Sequence, residues 1–185
     1  MKRFLKICVI VLGIIALQSF LQEDRRQNFV RQAALANKFE VALAEQAINR
    51  SSSAAIQDLA KVLVADHQQL ISELEAYANA NELNMPADLD QQYQRKLQSL
   101  AELDKGAYDR VVKETLIDAH ERSISLFEDA SSDDKILDEE LKKWMNEKLP
   151  TLKSHLEQSK GLSVEMSTLP RTMPPIGSSF QKKLK

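Results

Sequence analysis

Within residues 51–77, SSSAAIQDLAKVLVADHQQLISELEAY, an apolar seam runs Ile56, Ala60, Leu63, His67, Leu70, Leu74 and Tyr77. Steps of four and three residues place all seven on one face of an α-helix, and a stripe of that kind has to be buried against other helices. His67 sits inside the stripe. A single amphipathic helix cannot cover its own apolar face, so the chain must supply partners of similar length.

It does. Residues 25–49 carry the seam Phe29, Ala33, Ala36, Glu40, Leu43, Ala47, with Glu40 where a hydrophobic residue is expected. Ser51 to Ser53 break the pattern and offer an N-cap, so the first two helices form an antiparallel hairpin. The second helix ends near Asn79, and Asp88 with Gln91 marks the start of a short helix with a stripe of Leu89, Tyr93, Leu97 and Leu100. A third long helix spans about residues 107–130, with Val112, Leu116, His120, Ile124 and Phe127 on one face. Ser131 and Asp134 form a capping-box signature for a fourth, which carries Ile136, Leu137, Leu141, Trp144, Met145, Leu152, His155 and Leu156. Pro150 lies inside that helix and predicts a kink rather than a stop.

These elements predict an all-α, ferritin-like four-helix bundle with an additional short helix between helices 2 and 3. The roughly two dozen residues linking helices 2 and 3 are the long crossover that separates this topology from an up-down-up-down bundle. At 185 residues the chain is long enough for one substantial core. Aromatics are scarce at 5%, and no β-branched run alternates with polar residues outside the apolar N-terminus.

MKRFLK followed by ICVIVLGIIAL has the plan of an export signal, a basic segment and then an apolar run too short for a comfortable membrane span. The expected organisation is therefore a signal peptide in residues 1–21, a bundle in 22–161 and a flexible basic tail in 162–185. Cleavage is expected near residues 19–22, an uncleaved anchor being the alternative. Either outcome puts the body outside the cytoplasm, in the periplasm or cell envelope, with membrane proximity through the N-terminus. The only cysteine, Cys8, lies in the apolar run, so a processed protein has no thiol for disulfides or metals. The formal charge is −2; without Lys2, Arg3 and Lys6, and without the tail's net +3, the body stands at −8. An acidic body argues against nucleic acid as a partner.

Glu40, His67, His120 and His155 are one inward-facing polar residue from each long helix. Three imidazoles and a carboxylate form a sensible ligand set for a divalent metal such as zinc, copper or iron. Asp66, Asp118, Glu121 and Glu157 are close enough in sequence to orient the rings. Axial level is the difficulty. Counting from the turns puts Glu40 and His67 about 7 Å apart along the axis, but His120 and His155 about 18 Å apart, at 1.5 Å per residue. On that count His155 is the weakest member. The competing reading makes the histidines satisfied core residues, with Glu40 and His67 as the obvious pair. No Glu-x-x-His, Gly-rich phosphate loop, G-x-S-x-G or thiol nucleophile is present, so no catalytic residue is assigned and no enzyme activity is expected.

FVRQAALANKFEVALAEQA, KVLVADHQQL, AYDRVVKETLIDAHERSISLFEDA and LPTLKSHL, in that order, resemble the bacterial "domain of unknown function 4142" family over roughly residues 25–160. The resemblance maps an acid after phenylalanine, a DH pair, a histidine before an LFE-like segment and a histidine after LP onto Glu40, Asp66 with His67, His120 and His155. It implies a ferritin-like fold and an exported or outer-membrane protein, and it implies no activity. Two functions follow as expectations. The first is a metal-binding envelope protein; the second is a non-enzymatic interaction module for stress tolerance, its histidines a buried network. A monomer or weak dimer is expected in either case.

Overall fold

The structure, a computed structural model, describes the backbone of residues 2–133 and 138–163, with side chains from residue 23 onward. Among the described residues there are five helices and no strand: α1 (Lys2–Arg50), α2 (Ala54–Ala80), α3 (Gln91–Ala101), α4 (Lys105–Ser132) and α5 (Glu139–Gly161). The expected basic tail lies outside the described residues beyond residue 163, and so do the side chains of the expected signal peptide.

Each turn is closed by local chemistry. Ser53 caps α2, accepting from the Ile56 amide, and Asp104 caps α4 through the Ala107 amide. The short helix α3 is capped by Asp90, not by the expected Asp88: its Oδ1 accepts from the Gln92 and Tyr93 amides at 3.0 and 2.9 Å. The expected start of the fourth long helix is also corrected. Ser131 lies inside α4, Asp134 lies outside the described residues, and Asp138 is the N-cap of α5. Tertiary partners explain the choice. Asp138 accepts from Arg26 of α1 and Tyr77 of α2 while its other oxygen caps Leu141, so one carboxylate joins three helices. Helix α5 passes through Pro150 without ending.

Contacts between the ends settle the topology. Ser52, in the α1–α2 turn, bonds Asp109 near the start of α4, so α4 starts where α2 starts. Arg25 pairs with Asp133 at the far end, so α4 finishes beside the entrance of the bundle segment of α1. Helices α2 and α4 therefore run the same way, with α1 and α5 opposite. The result is the up-down-down-up order of ferritin-like bundles, which needs one crossover along the bundle's length. Residues 81–104 make it, held to α1 by Lys38 Nζ on the Pro86 and Ala87 carbonyls. On the way, α3 stacks Tyr93 on Phe39 with ring centroids 4.6 Å apart.

The interior is two apolar clusters with a polar layer between. One cluster holds Phe29, Leu70, Leu74, Phe127, Met145 and Leu152; the other, nearer the α1–α2 turn, holds Phe39, Leu43, Ile56, Leu63, Tyr108 and Leu116. In sequence the switch between clusters falls at Asn37 to Glu40 on α1, at His67 on α2, at His120 to Ser123 on α4 and at His155 to Ser159 on α5. All of these polar residues are buried. Four seams interrupted at the same height create one layer.

Candidate metal centre

All four sequence-predicted site residues meet in this layer. The rings of His67, His120 and His155 form a triangle whose three centroid separations are each 5.4 Å. Glu40 Oε2 lies 3.2 Å from His67 Nε2 and 3.1 Å from His120 Nε2. The four residues are 0–2% exposed.

His155 is thus a full member, which corrects the level argument. The sequence count treated residues 133–138 as helix. Instead α4 ends 12 residues past His120 and α5 begins 16 residues before His155, leaving an axial difference of four residues, about 6 Å. Counting from the two helix ends instead of from Ser131 removes the excess. Glu40 and His67, 10 and 13 residues from their helix ends, differ by about 4.5 Å. Tilt and side-chain reach absorb both offsets.

The outer hydrogen bonds fix the proton on each ring. Asn37 Nδ2 donates to the Ala33 carbonyl at 2.7 Å, so its Oδ1, 2.8 Å from His67 Nδ1, accepts. His67 Nδ1 therefore carries the proton and Nε2 is bare. His120 Nδ1 donates to the Leu116 carbonyl at 2.8 Å, which again leaves Nε2 bare. His155 is turned the other way: Nε2 faces Asp66 Oδ2 at 2.8 Å, so Nδ1 is the bare nitrogen. Ser123 Oγ donates to Glu40 Oε1 at 2.8 Å and directs Oε2 inward. The atoms left without a hydrogen bond include Glu40 Oε2, His67 Nε2, His120 Nε2 and His155 Nδ1. These are three imidazole lone pairs and a carboxylate oxygen in one buried layer. The contacts from Glu40 to the two Nε2 atoms are close, but they lack hydrogen-bond geometry.

Burial pushes the His67 imidazole down to about 4, against the opposing pull of Glu40, and the neighbouring rings push the same way as burial. His155 is likewise held below the usual histidine range, by burial first, with the Asp66 bond opposing. Both rings are neutral near pH 7, the form that binds a metal. One ring nitrogen from each histidine can be chosen so that all three lie within 4.8 Å of one another. A triangle of that side has its centre about 2.8 Å from each corner, against metal–nitrogen bonds of about 2.1 Å. An inward shift of about 0.7 Å per ring, a small side-chain rotation, closes the difference.

Of the residues expected to orient the rings, Asp66 does so. Asp118 pairs with Arg122 and Lys96 at the surface, and Glu121 and Glu157 contact Lys160. Two orienting residues were missed. Asn37 stands four residues after Ala33 on the α1 seam, and Ser123 stands three after His120 on α4. Their helical spacing from seam residues was the available signal.

Comparison with known proteins agrees on the fold. A solved structure described as CopM in the Cu(I)-bound form superposes with a TM-score of 0.60 at 18% identity, covering 73% of this chain and 92% of that one. CopM in the Cu(II)-bound form superposes with a TM-score of 0.58 at 19% identity, covering 73% and 93%. No curated protein sequence matches. The family profile described as "Domain of unknown function (DUF4142)" matches residues 18–162, which take in all five helices' bundle-forming parts and every residue of the polar layer, and the chain belongs to that family.

Proposed function

We propose that this protein binds one transition-metal ion in the polar layer, with His67 Nε2, His120 Nε2, His155 Nδ1 and Glu40 Oε2 as ligands. The observation that carries this reading is the set of four unpartnered acceptor atoms in one buried layer. A buried polar atom without a partner costs about 1–3 kcal/mol, and a bound cation removes that penalty at all four positions together. Glu40 Oε2 stands within 3.2 Å of two of the nitrogens without a hydrogen bond to either, and a cation among the four atoms satisfies them together. The outer partners Asn37, the Leu116 carbonyl, Asp66 and Ser123 hold each ligand in its metal-ready form, the supporting arrangement that metal sites generally use.

Three imidazoles and one carboxylate suit a borderline divalent ion, so copper, zinc and iron are the candidates. Copper is the first to test, because the CopM structures that share the fold hold copper or silver. The basic and then apolar N-terminus supports a further part of the reading, that the protein is exported and handles its metal in the cell envelope. The site residues are not assigned a reaction.

The test is metal analysis of protein purified without a metal-affinity tag, followed by copper and zinc titration of the wild type and a His67→Ala/His120→Ala variant. One equivalent should bind, and the variant should lose it. Binding weaker than about 10 µM, roughly −7 kcal/mol, or binding unchanged in the double variant, refutes the proposal.

A further inference from the structure

The four ligands of the proposed centre are not equally enclosed. The outer nitrogen of His67 meets Asn37, itself 3% exposed, and that of His120 meets the carbonyl of the buried Leu116. Glu40 is backed by Ser123, 4% exposed. Only His155 passes its outer nitrogen to a group in contact with water, Asp66, whose side chain is 39% exposed.

The location of that pair is also distinctive. Among the four seams that close the bundle, α2–α5 is the least closely joined. Polar rungs hold it: Tyr77 with Asp138 at 2.6 Å, Glu73 with Trp144 at 2.7 Å and with Lys148 at 2.6 Å, then Asp66 with His155 at 2.8 Å. The Asp66 rung is the last before α5 ends at Gly161. One turn earlier on α2, Val62 is 45% exposed, so α5 leaves this flank uncovered just beyond the rung.

We propose that the Asp66–His155 rung is the uptake route of the metal centre, with the Asp66 carboxylate as the first ligand a cation meets and His155 as the ligand that opens and then closes the site. This rests on the metal-binding reading above. A surface carboxylate attracts and partly dehydrates the cation. Exchange of its bond to His155 Nε2 for a contact with the ion frees the ring to move, at the seam that yields most easily. The other three ligands stay fixed by buried partners, so the site is preformed on three sides and gated on the fourth.

The experiment is stopped-flow mixing of the full-length protein with Cu(II), read by quenching of Trp144, the single tryptophan, which sits 11 residues or about 16 Å along α5 from His155. The variants are Asp66→Ala, Asp66→Asn and Asp66→Glu, with Asp118→Asn as a control for loss of one surface charge at matched exposure. Far-UV circular dichroism confirms folding, which a side chain this exposed does not govern. The association rate should fall at least fivefold below that of Asp118→Asn in both Asp66→Ala and Asp66→Asn, and Asp66→Glu should restore most of it. A fall of less than fivefold overturns the proposal, including the case in which only dissociation speeds up, since that marks Asp66 as a positioning residue alone. Absence of copper binding by the wild type refutes the site itself, a separate result from an unchanged association rate.

Discussion

Acid should destabilise the metal-free protein through His67, by an amount that follows from its burial. The unfolded ring titrates near 6.5 and the folded one near 4, because the folded ring is wholly enclosed. Between those values the unfolded chain binds more protons than the folded one, so stability rises with pH across that window and is lost as pH falls through it. At about 1.4 kcal/mol per unit the full effect is on the order of 3 kcal/mol, of which about 2 kcal/mol falls between pH 7 and pH 4.5. His155 acts in the same direction. Glu73 and Asp138, held below the usual carboxylate range by their hydrogen-bond partners against the opposing effect of burial, lose their contributions as pH falls past their ordinary values of 4.5 and 3.8. The assay is urea unfolding in the presence of a chelator at half-unit intervals from pH 7 to pH 4.5, for the wild type and for His67→Leu. The difference between the two proteins isolates the residue from everything else that titrates. It should shift by about 2 kcal/mol over the window, with the wild type losing more toward acid. A difference independent of pH would show that His67 is not held neutral by burial.

Three further outcomes follow. Asn37→Ala should weaken copper or zinc binding by about 10–100-fold in equilibrium titrations, because it frees the His67 tautomer that the Ala33–Asn37–His67 chain selects; unchanged affinity would show that the tautomer is set elsewhere. Phe127→Ala should cost about 3–5 kcal/mol in urea unfolding, since the ring is fully buried and packs on Phe29 and Trp144, and a loss under about 1 kcal/mol would contradict the enclosed core. Glu82→Gly should stabilise by roughly 0.5–1 kcal/mol in the same assay: Glu82 has φ 56° just past α2, where the Leu83 amide bonds the Ala78 carbonyl, and glycine adopts that left-handed turn without strain.

The seams of the long helices were legible because each is a periodic signal repeated over many residues, and a burial stripe leaves few alternatives. The interruptions were legible for the same reason: Glu40, His67, His120 and His155 stand where apolar residues belong. The capping sites were less so. Asp88 and Asp90, or Ser131 and Asp138, offer similar local chemistry, and the preference for Asp138 comes from Arg26 and Tyr77, which are distant in sequence. The height of His155 was misread on related grounds. A capping signature at Ser131 started the count there, whereas α5 begins at Glu139, and each residue counted before that start adds 1.5 Å to the apparent axial offset.

Sequence alone determined the helical class, the long crossover and the one polar residue per helix, since these depend on periodicity and chain length, which are local properties. Only the tertiary structure decided that the four residues share a layer, that two rings present Nε2 and the third Nδ1, and that His155 alone hands its outer nitrogen to an exposed group. Those are properties of relative helix position and of partners such as Asn37 and Asp66. A hydrogen bond across 30 or 89 residues leaves no periodic trace in a single chain.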